Sequence, residues 1–119
     1  MSDDDTPLSA LRSRLRAFNL EREWGRYHSP RNLAMAVSVE ANELLALYLW
    51  SSDTGPQPPV ASRSGQVEEE AADVLISLLN LCEAAGVDLV AATERKIAKN
   101  AEKDPVERAR GRLEKSSEL

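Results

Sequence analysis

The sequence predicts an all-α protein built from four helices. Three observations lead there. Apolar residues recur at three- and four-residue spacing along several segments. Ser/Thr-Pro pairs stand where helices would start. Glycines and prolines collect between the periodic stretches, at 51–65, at Gly86 and at Pro105. Thr6-Pro7 opens the first helix, whose face carries Leu8, Leu11, Leu15 and Phe18 and which runs to about Trp24. Gly25–His28 is a short connection, and Ser29-Pro30 repeats the start signal for a second helix ending near Trp50. Residues 51–65 hold Pro56, Pro58 and Pro59 and read as a loop of more than usual length, either a lid or disordered. A third helix begins near Gln66 and stops at Gly86, a natural C′ residue. Asp88 caps a fourth, Leu89 to about Lys103. The charged tail 106–119 is either a short helical piece or disordered.

At 119 residues the chain is expected to be one domain with a modest core. A net charge of −5 argues against a broad surface for nucleic acid or anionic membrane. One cysteine, Cys82, permits no disulfide within the chain and suits a reducing cytoplasm. No apolar run approaches membrane length, and the acidic start Ser2–Asp5 is unlike a signal peptide.

Chemistry concentrates in two carboxylate pairs at i, i+3 spacing, Glu40/Glu43 and Glu70/Asp73, each on one face of its helix. Ala36, Val37, Leu44 and Leu47 surround Glu40 on that face, and acids set in an apolar ridge need a partner or a metal. On the third helix Gln66, Glu70, Asp73, Ser77 and Asn80 form one polar stripe on an otherwise apolar cylinder. Such a stripe is either the wall of an internal cavity or the solvent face of an amphipathic helix. Four converging carboxylates would repel one another until some took protons or a cation bound. All-oxygen ligands suit Mg²⁺, Mn²⁺ or Ca²⁺. A ferritin-like di-iron site would use Glu-x-x-His pairs, and the single histidine, His28, lies outside both pairs.

On the fourth helix Lys96, Asn100 and Lys103 share a face, placed either to meet phosphate oxygens or to complement the helix dipole. Trp24 and Trp50 are expected at helix ends, as stacking faces for a base or as core residues.

Taken in order, Phe18, Glu21-Arg22-Glu23-Trp24, His28-Ser29-Pro30-Arg31-Asn32, Glu40-Ala41-Asn42-Glu43, Trp50, Glu68-Glu69-Glu70-Ala71-Ala72-Asp73 and Lys96…Asn100…Pro105 resemble the dCTP pyrophosphatase group of the MazG-like all-α nucleoside triphosphate pyrophosphohydrolases. The resemblance spans nearly the whole chain. It implies a four-helix bundle of the MazG-like type, assembled as dimers or tetramers with sites shared between chains. It also implies a Mg²⁺-dependent enzyme, with Mn²⁺ as a substitute, that splits a nucleoside triphosphate into monophosphate and pyrophosphate. By position, Glu40, Glu43, Glu70 and Asp73 would hold metal. Lys96, Asn100 and Lys103 would meet the phosphates. Trp24, Trp50, His28, Arg31, Ser77 and Asn80 would surround the base. Glu40, with the most apolar ridge, is the expected general base.

Related pyrimidine-specific proteins carry histidine where this chain has Leu15 and tyrosine at the positions of Ser77, Asp104 and Ser116. Those differences bear on cytosine preference and leave the metal residues intact. A non-catalytic nucleotide sensor and a helical oligomerisation module are the alternatives from other functional classes.

Overall fold

The computed structural model describes residues 1–49 and 64–113, and every described regular element is helical. The order is α1 (Leu8–Glu21), a 3₁₀ turn (Trp24–Tyr27), α2 (Pro30–Ala46), α3 (Ser64–Ala85), α4 (Leu89–Lys103) and α5 (Val106–Ala109). Trp50, most of the expected 51–65 loop and the end of the tail, 114–119, lie outside the described residues. The chain divides into two compact units, Met1–Gly86 and Val87–Leu119. No single helix among the described residues is long and apolar enough to cross a membrane.

Capping chemistry sets most of the boundaries. Ser29 Oγ accepts the backbone N–H of Asn32 at 3.1 Å, and Pro30 occupies the first position of α2, where no N–H is required. Asp88 Oδ1 accepts the N–H of Ala91 at 3.1 Å to start α4. Gly86, at φ +68°, follows the last residue of α3 in the left-handed conformation that glycine adopts without a Cβ clash.

Three expectations about helix ends are corrected, and the expected short connection before α2 takes a defined form. Thr6 does not cap α1: Pro7 holds the N-cap position without a side-chain bond, and Thr6 Oγ1 instead donates to Asp5 Oδ1 at 2.7 Å. α1 stops at Glu21 rather than near Trp24, because Glu23 adopts a left-handed conformation (φ 54°) and its N–H turns back to the Leu20 carbonyl at 3.1 Å. The connection to α2 is a 3₁₀ turn, pinned at its end by Asn32 Nδ2 donating to the Tyr27 carbonyl at 3.2 Å. α2 ends at Ala46, ahead of Trp50, while α3 takes in Ser64 and Gly65.

In the first unit α2 packs on α3 as the principal helix pair. Among the described residues the buried apolar ones are few: Leu33 at 5% exposure on α2, with Leu79 and Cys82 on α3. Ser77, on the polar stripe of α3, is also buried, at 9% exposure, while Leu75 and Ile76 are 36% and 41% exposed. α3 therefore buries Leu79 and Cys82 together with Ser77 from its polar stripe, and leaves Leu75 and Ile76 partly exposed. α1 is held to α3 by polar ties: Arg16 reaches Glu83 through two hydrogen bonds of 2.9 and 3.1 Å, and Asn19 Nδ2 donates to Asn80 Oδ1 at 2.9 Å. In the second unit the 15-residue α4 and the one-turn α5 are mostly exposed.

Candidate functional site

The packing of α2 on α3 brings carboxylates from the two helices together. Glu40, Glu43 and Glu70 each offer an oxygen, and these oxygens all lie within 4.8 Å of one another. Glu40 and Glu70 are half-buried and Glu43 is exposed. Glu40 Oε2 and Glu70 Oε2 are shielded from solvent and have no hydrogen-bond partner. A shielded carboxylate oxygen without a donor is an unfavourable arrangement unless a proton or a cation meets it. Asp73 is exposed, three residues beyond Glu70, and adds its negative charge to the group.

The titration of the cluster follows from that crowding. Loss of hydration pushes the Glu40 carboxyl above its ordinary value, and the carboxylates of Glu43, Asp73 and Glu70 push it further. Glu70 is raised for the same reasons, by desolvation first, then by Glu43, Asp73 and Glu69. Glu83 moves the other way, held low chiefly by its hydrogen bonds from Arg16. The two glutamates with shielded oxygens are thus the two that resist losing a proton. An oxygen-only, multiply negative cluster of this size fits a hard divalent cation.

Beside the acidic stripe, α1 and α3 bound an open groove of about 480 Å³. Its walls are mainly apolar, with Leu15 and Phe18 from α1 and Leu75, Ile76 and Leu79 from α3. Trp24 and His28 close one part of it, and Asn19 with Asn80 supplies its amide groups. The Phe18 and Trp24 rings meet edge to face with centroids 5.5 Å apart, and the Arg22 guanidinium lies 3.7 Å from the Phe18 centroid. A second groove of about 520 Å³ shares Asn19, His28 and Asn80 with the first and carries Arg16, Glu23, Arg26 and Glu83.

The expected site residues are distributed as follows. Glu40, Glu43 and Glu70 converge, with Asp73 as a charged neighbour. Trp24, His28 and Asn80 line the apolar groove, and Ser77 is buried on the same polar stripe as Asn80. Arg31 is exposed at the start of α2, away from the groove lining. Lys96, Asn100 and Lys103 are exposed on α4, in the second unit. Trp50 is outside the described residues. Asn19 was not anticipated. Its signal was a polar residue four positions after Leu15 on the apolar face of α1.

Comparison with known proteins gives a consistent set of matches. A model of the MazG-like family matches residues 35–119. Mouse dCTP pyrophosphatase 1 is 40% identical over 104 residues, covering 86% of this chain and 61% of the mouse protein. Human dCTP pyrophosphatase 1 is 38% identical over 104 residues, with the same two coverages. The chain thus spans about 61% of the length of these curated relatives. A crystal structure of a pyrophosphatase from Archaeoglobus fulgidus superposes with a TM-score of 0.74 at 37% identity, covering 88% of this chain and 98% of that one.

The raised carboxyls predict a sign for pH dependence without metal. A group that binds its proton more tightly folded than unfolded contributes most stability below its unfolded value, here 4.5, and loses that contribution as pH rises through the folded value. In the metal-free protein Glu40→Gln, which removes the charge, should therefore gain melting temperature relative to the unmodified chain as pH rises above 4.5. An advantage that shrinks over that range would contradict the assignment.

Proposed function

This chain belongs to the MazG-like family, and from that premise we propose that it is a Mg²⁺-dependent nucleoside triphosphate pyrophosphohydrolase acting on dCTP or a related pyrimidine. One observation carries the reading: three carboxylates from two helices meet within 4.8 Å, two of them with shielded oxygens that lack a donor. Similarity to dCTP pyrophosphatase 1 and to a solved pyrophosphatase supports the reaction class.

In this reading Glu40, Glu43, Glu70 and Asp73 hold Mg²⁺, or Mn²⁺ in its place. Bound there, the ion would supply charge neutralisation of the triphosphate and an acidified water. The protein's own residues do the rest. Glu40 takes the proton of the attacking water at a carboxylate oxygen, because desolvation and its acidic neighbours give it the affinity for a proton that a general base needs. The apolar groove receives the base, with Trp24 on its wall, and Trp24 and Trp50 are the proposed stacking faces. His28 borders the ring, and Ser77 and Asn80 meet it from α3. Arg31 serves the approach to the site. Lys96, Asn100 and Lys103 bind phosphate oxygens. The products are the monophosphate and pyrophosphate, in the cytoplasm, from one domain over residues 1–119 with a four-helix bundle.

A homo-oligomer, dimer or tetramer, completes the proposal. Met35, Val39 and Leu45 on α2 and Leu49 just beyond it are all more than half exposed, and Leu75 and Ile76 are partly exposed on α3. Val39, Leu45 and Leu49 flank an open groove of about 470 Å³ that includes Glu43. An apolar surface of that extent next to an acidic cluster is an interaction face rather than an ordinary monomer surface. Light scattering at micromolar concentration should give at least twice the chain mass of 13.1 kDa, and a monomer would contradict it.

Incubation of nucleoside triphosphates with Mg²⁺, followed by chromatography, should yield monophosphate and pyrophosphate, with EDTA abolishing turnover. Altering residues that only support a metal ligand costs about 10–100-fold, so Glu43→Gln and Asp73→Asn, removing proposed ligands, should each lower kcat by about 100-fold or more. Both variants should stay helical by circular dichroism and melt higher than the unmodified protein without metal, since each removes like charge. Full activity in both would dismiss the four-carboxylate centre, and stoichiometric orthophosphate without an added pyrophosphatase would dismiss the assigned cleavage.

A further inference from the structure

The groove between α1 and α3 is mainly apolar, and its polar lining consists of Arg14, His28 and the pair Asn19 and Asn80, which meet across the two helices. Asn19 Nδ2 donates to Asn80 Oδ1 at 2.9 Å, and both side chains are half-buried. A carboxamide carries two N–H donors and one carbonyl acceptor. The bond uses the Asn80 carbonyl and leaves the Asn80 NH₂ with no protein partner among the described residues. In that bond the Asn80 oxygen is turned to α1. With its oxygen turned to α1, the group Asn80 has left to offer a ligand in the groove is a donor. Asn80 is seven residues beyond Asp73 on α3, about 10 Å along the helix axis. That is about the length of a nucleoside, so a ring in the groove leaves its phosphates near the carboxylates.

We propose that Asn80 reads the edge of the base by donating to a ring-nitrogen acceptor, and that Asn19 is the positioning residue that holds its amide in that orientation. The inference rests on the nucleotide pyrophosphohydrolase reading of the same site and names what selects within it. The N3 of cytosine has a free lone pair and accepts the Asn80 N–H. The N3 of uracil or thymine carries a hydrogen, so two donors would oppose each other and neither would find an acceptor. In a largely apolar groove an unmatched donor is penalised far more than in water. Stacking on Trp24 is indifferent to this difference, so it falls to a polar group of the groove wall, and the amide pair is the one there whose members are bonded to each other.

Hydrogen-bond direction makes the idea testable by inversion. In Asn80→Asp the carboxylate still accepts from Asn19 but now presents an oxygen to the ring, which suits N3–H. In Asn19→Asp the new carboxylate accepts only, so it takes the Asn80 NH₂ and turns that amide over, presenting its oxygen to the ring. Asn19→Ala releases the amide to adopt either orientation. The measurement is the ratio of kcat/KM for dCTP to that for dUTP, in which effects on the shared triphosphate cancel. The unmodified protein should favour dCTP by about tenfold or more. Both aspartate variants should move the ratio towards dUTP by a similar factor, and Asn19→Ala should bring it near one. A purely structural tie between α1 and α3 would change stability and overall rate but would not reverse a base preference. Turnover by both aspartate variants with the ratio unmoved overturns the inference and leaves the proposed reaction standing. Should Asn80→Asp fail to fold, the ratio in Asn19→Asp decides alone. No turnover of any nucleoside triphosphate by the unmodified protein overturns the underlying functional reading instead.

Discussion

Crowding of negative charge between α2 and α3 is the constraint on which the rest of the arrangement depends. Two helices that pack with Glu40, Glu43 and Glu70 within 4.8 Å are pushed apart by their own side chains. Protons relieve part of that repulsion, which is why Glu40 and Glu70 hold theirs above the ordinary carboxylate range. The buried apolar set among the described residues, Leu33, Leu79 and Cys82, is small to oppose such a repulsion. A fold that keeps so expensive a feature at its main helix interface is consistent with the cluster being the reason for the interface. The same trade is familiar where binding geometry is maintained against stability.

Turning the polar stripe of α3 inward has a second consequence. Ser77 is 9% exposed, and Leu75 and Ile76, partly exposed, line the groove beside α1. The groove beside α1 and the bare ridge of α2 both follow from that orientation. One takes shape because α1 is tied to α3 by Arg16–Glu83 and Asn19–Asn80 at its polar positions, leaving apolar walls uncovered between them. The other leaves Met35, Val39 and Leu45 more than half exposed.

Much of this was legible in the sequence, and the reasons are specific. The i, i+3 pairs and the stripe Gln66–Asn80 identified the acidic face because helical periodicity maps directly onto a surface. Ser29-Pro30, Gly86 and Asp88 marked boundaries because each has a defined backbone role. Periodicity could not decide whether the α3 stripe met solvent or the interior, since both give the same pattern. It was the neighbour helix that decided. The end of α1 was misjudged because a glutamate, Glu23, takes a left-handed conformation that usually signals glycine or asparagine. Thr6-Pro7 resembled a cap, but the Thr6 hydroxyl was engaged by Asp5 in a local turn. Asn19 was overlooked because its significance lies in Asn80, which is distant in sequence and adjacent only after α1 docks.

The central claim, that α2 and α3 together build a cation site, is tested most directly by anomalous diffraction from crystals soaked in Mn²⁺. The account predicts an anomalous peak between the two helices, within about 2.0–2.3 Å of carboxylate oxygens from Glu40, Glu43 and Glu70. Crystals that take up no Mn²⁺ there, with the three carboxylates ordered and unoccupied at saturating metal, would contradict it.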